Sequence, residues 1–73
     1  MDASKAKAIG EELRRLRREA GRTQEEVAGH IGVSAMMISY WERGLRNISG
    51  LDVQGIASYL GYSDRVDDIL GKV

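Results

Sequence analysis

The chain has 73 residues, with no cysteine, proline or phenylalanine, and 11 basic residues set against 11 acidic ones. Without cysteine it can form neither disulfides nor thiolate metal sites, and no apolar run is long enough to cross a membrane or to form the core of an export signal. The expectation is a soluble, cytoplasmic, mostly helical chain of a single domain over residues 1–73, whose core is economical because so short a chain buries only about 60% of its unfolded surface.

Helix 1 is expected from about Ser4 to Ala20, where Ala6, Ile9, Leu13, Leu16 and Ala20 recur at three- and four-residue steps. Glu11, Glu12, Arg14, Arg15, Arg18 and Glu19 fall on the other faces, and Gly21 is a natural stop. Thr23 then caps helix 2, with Glu26 three residues on as its capping-box partner. Val27, Ala28 and Ile31 supply the buried face of helix 2, which ends at Gly32. Ser34 caps helix 3, which runs to Gly44. Helix 4 opens at Ser49, with Asp52 as a shorter capping partner and Ile48 and Val53 as a hydrophobic staple. Val53, Ile56, Ala57 and Leu60 keep helical period to Gly61, with Gly55 an unfavourable residue in the middle. A short last helix covers about Asp64 to Leu70, with Val66, Ile69 and Leu70 apolar.

Charge is unevenly spread. Residues 1–46 hold nine Lys/Arg against seven Asp/Glu, while residues 47–73 hold two against four. That polarity is too mild to announce a nucleic-acid partner. Spacing is more informative. Two short helices joined by the three residues "GVS", in an all-helical chain, form a helix-turn-helix at about residues 23–43. Ala28 is small where the helices cross, Gly32 is free to take a positive φ, and Val33, Ile38 and Trp41 are apolar where helix 3 must dock.

The stretch "LRRLRREAGRTQEEVAGHIGVSAMMISYWERG" resembles the Cro/cI-type (lambda-repressor-like, XRE-type) DNA-binding domains of phage and bacterial transcriptional regulators. The likeness covers residues 9–61, and 62–70 more loosely. It implies a compact five-helix, all-α domain that reads double-stranded DNA with helix 3. Gln24 matches a glutamine that donates to a phosphate; the spacing alone leaves it a solvated residue beside the spare N–H groups of a helix start. Arg22, Thr23, Arg43, Arg46 and Asn47 match further phosphate positions, and Arg17 and Glu42 a structural ion pair.

Ile38, Trp41 and Glu42 share one face of helix 3, so Ala35, Met36, Ser39, Tyr40 and Arg43 point away, with Met37 toward the edge. The resemblance implies base readout from Ala35, Met36, Met37, Ser39 and Tyr40. Relatives carry mostly polar residues there, whereas three of the positions here are apolar. Three accounts compete: apolar contact with thymine methyl groups, methionines that belong to the core, and a protein partner for an adaptable methionine surface.

His30 stands alone on the outer side of helix 2, and "GEE" and "DRVDD" read as helix-surface charge. No nucleophile–base pair, metal-ligand spacing, cofactor motif or small-molecule site is expected, and an enzyme is not. The expected role is a sequence-specific transcriptional regulator, a repressor by analogy, bound as a homodimer to a pseudo-palindromic operator. Val66, Ile69, Leu70 and Tyr59 are the candidate dimer surface. A protein-interaction module on the same fold, antitoxin-like or a regulatory subunit, is the alternative. Met1 and the closing "LGKV" allow either an intact short regulator or a piece of a longer repressor.

Overall fold

The computed structural model describes residues 3–71; Met1 and the last two residues of "LGKV" lie outside them. Five α-helices follow in order: α1 (Ala3–Glu19), α2 (Gln24–Ile31), α3 (Ala35–Glu42), α4 (Gly50–Leu60) and α5 (Val66–Leu70). No strand occurs among the described residues. The last helix starts two residues later than its periodicity suggests, because its first turn, Ser63–Arg65, is wound as 3₁₀. There the Arg65 N–H donates to the Tyr62 carbonyl at 2.9 Å.

The helix starts are fixed by side chains. Thr23 and Glu26 make a reciprocal capping box: the Glu26 N–H donates to the Thr23 hydroxyl at 3.0 Å, and the Thr23 N–H to the Glu26 carboxylate at 2.9 Å. At α3 the Met37 N–H donates to the Ser34 hydroxyl. At α4 the Asp52 N–H donates to the Ser49 hydroxyl, which in turn donates to the Asp52 carboxylate, both at 3.1 Å. The shorter Asp side chain thus takes the cap's hydroxyl where Glu26 takes the cap's backbone.

These helices close on one core. Ile9, Leu13 and Leu16 of α1 meet Val27 and Ala28 of α2, Ile38 and Trp41 of α3, Val53, Ile56, Ala57 and Leu60 of α4, and Ile69 of α5. Each large aliphatic side chain so buried contributes about 1.5–3 kcal/mol. Gly55 leaves α4 unbroken, and a Cβ there would stand 3.2 Å from the Ile31 δ-methyl, so a small residue suits this crossing.

Two of the surface expectations are overturned. Glu12 is only 9% exposed, because α5 and its leading 3₁₀ turn close over that flank of α1. Its carboxylate accepts from Arg15 Nε and Nη2 at 2.8 and 2.9 Å, with Arg65 Nη2 at 3.8 Å. Glu12 of "GEE" and Arg65 of "DRVDD" therefore meet in an ion cluster that ties the middle of α1 to the 3₁₀ turn before α5. Ile69 is fully buried, since α5 lays this side chain against α1 and α4, and it cannot serve a dimer surface.

The seating of α3 on α1 depends on two glycines. A Cβ on Gly10 would overlap the Trp41 carbonyl oxygen and stand 2.9 Å from that of Glu42. Gly44, at φ 73°, ends α3 and lies where a Cβ would be 2.6 Å from the Lys7 Cα. Backbone meets backbone at both places. Beside them Arg17 Nε and Nη2 donate to the Glu42 carboxylate at 2.6 and 3.0 Å, and Nη1 donates to the Arg22 carbonyl at 2.8 Å. The bonds to Glu42 hold the Arg17 guanidinium still more firmly protonated than usual, against the cost of its burial.

Gly10→Ala is expected to cost about 2–3 kcal/mol, since neither carbonyl can step aside without moving α3. Gly29, whose Cβ would meet nothing within 4 Å, is the matched control. Gly29→Ala should gain up to about 1 kcal/mol, and thermal melts of the two variants should move in opposite directions. Arg17→Ala leaves Glu42 buried without its main partner and should cost about 3 kcal/mol, a Tm fall of about 12–24 °C in a chain of this size. An unchanged Tm would refute that role.

Candidate nucleic-acid interface

Helix α2 ends at Gly32 in the left-handed region, φ 89°, and Val33 packs on the core before Ser34 caps α3. This short turn leaves α3 little choice of rotation. Ile38, Trp41 and Glu42 turn inward and are buried, so the opposite face is presented to solvent. Met36 is 63% exposed; Ser39 and Tyr40 are half-buried, and Arg43 is exposed. Ala35 and Met37 are half-buried and pack on the rim of the core. Ala35, expected to point outward, therefore sits at the edge, because the N-terminus of α3 leans on the body of the protein. The core account of the methionines applies in part to Met37 and not to Met36.

At the far end of α3 the charges are organised around one aromatic ring. The Arg43 guanidinium carbon lies 5.5 Å, and that of Arg46 5.6 Å, from the centroid of Tyr40. Arg43 Nε also donates to the Ser39 carbonyl at 3.3 Å. Each such cation–ring contact at an exposed site contributes about 0.5–1 kcal/mol. Asn47 follows, exposed, in the segment leading to α4.

The start of α2 is more crowded than its sequence suggests. Gln24 Nε2 donates to the Glu42 carboxylate at 3.1 Å, which leaves the second amide N–H to face outward contacts. The Thr23 N–H is already taken by Glu26, whose carboxyl is held below the ordinary range chiefly by that bond. Glu25 and Glu26 thus put negative charge beside the N–H groups of Gln24 and Glu25 that the first helical turn leaves unpaired. Arg22 offsets part of it: Nη1 lies 3.5 Å from Glu26, and the guanidinium stacks on Tyr59 at 5.4 Å. An anion here would be held mainly by Gln24 and Arg22.

Several features have little signal in the sequence. His30 does not stand alone, because its ring stacks on that of Tyr59 at 4.2 Å where α4 packs beside α2. Leu45, in the connection after α3, and Leu51, in the first turn of α4, are exposed apolar residues, at 61% and 80%. The bond from Gln24 to Glu42 joins residues 18 positions apart, and only the partnership of Tyr40 with Arg43, one helical turn on, is visible as spacing. No helix among the described residues is long and apolar enough to cross a membrane.

Comparison with known proteins agrees with this architecture. A family model described as "Helix-turn-helix" matches residues 13–66. The chain is also similar to an uncharacterized HTH-type transcriptional regulator, y4dJ, of Sinorhizobium fredii. The two are 44% identical over 57 residues, which cover 78% of this chain and 74% of the relative. The matched span runs from the middle of α1 through the Tyr40–Arg43–Arg46 cluster and α4 to the start of α5, and the chain belongs to the XRE-type helix-turn-helix family.

Proposed function

We propose that the chain is a sequence-specific double-stranded DNA-binding transcriptional regulator, a repressor of phage or bacterial type acting in the cytoplasm as one domain. The observation that carries this reading is the division of α3. One face is locked down by Ile38, Trp41 and Glu42, and the other offers Met36, Ser39 and Tyr40 with Arg43 and Arg46 at its end. Such a helix enters the major groove, and α2 crosses the backbone beside it. Base contacts fall to Ala35, Met36, Met37, Ser39 and Tyr40. Phosphate contacts fall to Gln24, Arg22, Arg43, Arg46 and Asn47, with Thr23 acting as the cap that holds Gln24 in position. The name of the Sinorhizobium relative, an HTH-type transcriptional regulator, supports the same broad role.

A protein of this size covers few base pairs, so a symmetric dimer on half-sites about 34–36 Å apart is part of the proposal. Val66, Leu70 and Tyr59 remain available to it, each half-buried within the chain. No cofactor is needed for such a role. The rival reading is a protein-interaction module, favoured by the exposed Met36, Leu45 and Leu51.

Gel shift separates the two. A regulator should bind random duplex at about 50–100 mM salt and lose affinity steeply as salt rises, because each phosphate contact releases counterions. No binding in that range would favour the protein module. Gln24→Ala should weaken binding to all sequences alike. Tyr40→Ala should relax preference at particular base pairs by about 1–3 kcal/mol, and equal losses on selected and random duplex would remove Tyr40 from the readout.

A further inference from the structure

The outward face of α3 is divided along its axis. Its first turn presents Met36, with Ala35 and Met37 half-buried at its edges, and none of the three carries a side-chain hydrogen-bond donor. Its far end carries Tyr40, with Arg43 and Arg46 drawn onto the ring and Arg43 further held by the Ser39 carbonyl. The polar groups are therefore collected at one end, and the most protruding side chain at the other is a thioether, 63% exposed. In a recognition helix it is the N-terminal residues that meet base edges.

A thioether laid over a base edge displaces water and returns no comparable hydrogen bond. One feature of the major groove gains from such a contact: the methyl group on C5 of a pyrimidine. We propose that Met36, with Ala35 and Met37 beside it, reads pyrimidine C5-methyl groups. The inference rests on the DNA-binding reading above and names what this part of the site recognises. The same methyl occurs in thymine and in 5-methylcytosine, so a regulator built this way binds more tightly where a cytosine under Met36 is methylated. Methylation of a cytosine at that position thereby raises affinity through the same contact that reads thymine. Burial of one methyl corresponds to about a four-fold change in affinity.

The test uses the full 73-residue chain and a site obtained by selection from a random duplex library. Each thymine in the half-site is replaced singly by deoxyuridine, which removes the methyl and leaves the base pairing unchanged. At the position that responds, cytosine and 5-methylcytosine are then compared, each opposite guanine. One position per half-site should lose about four-fold with deoxyuridine, and 5-methylcytosine should exceed cytosine there by a similar factor. Met36→Ala should still bind, since the residue is exposed and alanine is a good helix former, but should lose the sensitivity to the methyl.

A response to deoxyuridine without one to 5-methylcytosine would assign the methyl read to thymine and overturn the methylation response. Indifference to deoxyuridine at every position would overturn the proposal. So would the same sensitivity in Met36→Ala, or binding by that variant unaltered on every duplex. Failure to bind any duplex would instead overturn the regulator reading itself, and leave the apolar turn of α3 to a protein partner.

Discussion

What α3 can present to a partner depends on one carboxylate inside the protein. Glu42 is 5% exposed and accepts from Arg17 twice, at 2.6 and 3.0 Å, and from Gln24 at 3.1 Å. A charge so placed loses its water at a cost of several kcal/mol, and only well-aligned donors offset it. The donors come from α1 and α2 while the acceptor belongs to α3, so satisfying the charge fixes three helices relative to one another. Arg17 extends the tie through Nη1 to the Arg22 carbonyl in the turn between α1 and α2. Apolar residues of the same volume often match such a network in stability. What the bonds add is direction, since each sets a distance and an angle between α3 and its neighbours.

The glycines supply a constraint of a different kind. At Gly10 and Gly44 the backbones of α1 and of the end of α3 approach so closely that a side chain on either would collide with main chain. Dispersion and packing favour the approach, but sterics decide its depth. Trp41 shows how the two constraints converge. Its indole is buried in the core, its carbonyl faces Gly10, and its neighbour Glu42 holds the ion pair. Rotation of α3 is therefore limited by contact on one side and by charge on the other, and the outward face inherits that precision.

Those constraints differ in how much of them is legible in the sequence. Helix positions follow from local rules: Thr23 with Glu26, Ser34, Ser49 and the apolar spacing place every helix to within a residue or two, because caps and periodicity act between near neighbours. The pairing of Arg17 with Glu42 is implied only by the resemblance, since 24 intervening positions hide it from any local pattern. Glu12 reads as a surface residue because it lies just outside the apolar stripe; its burial depends on where α5 comes to rest. Gly10 carries no mark at all, for a glycine inside a helix advertises only a propensity cost until its neighbour across the interface is known. The stack of Arg46 on Tyr40 is equally hidden, because it forms across the turn that Gly44 permits. Local chemistry is readable in the sequence, and tertiary closeness is not.

The arginine–tyrosine cluster bears on how a chain of zero net charge could hold a polyanion. With 11 basic and 11 acidic residues, long-range attraction is weak, and Glu25 and Glu26 at the head of α2 oppose an approaching phosphate. Affinity in the proposed role must then come from a few cations acting within a Debye length, about 10 Å at 0.1 M salt. Free arginines serve this poorly, since each loses about 0.5–1.5 kcal/mol of rotamer freedom when a partner fixes it. Stacked on the Tyr40 ring, Arg43 and Arg46 have part of that ordering done before any partner arrives. Tyr40 is in turn held by a helix that Glu42 and Gly10 have already oriented. The buried carboxylate and the surface cluster are therefore parts of one arrangement: the first sets where α3 points, and in the proposed role the second would let a small number of charges act together.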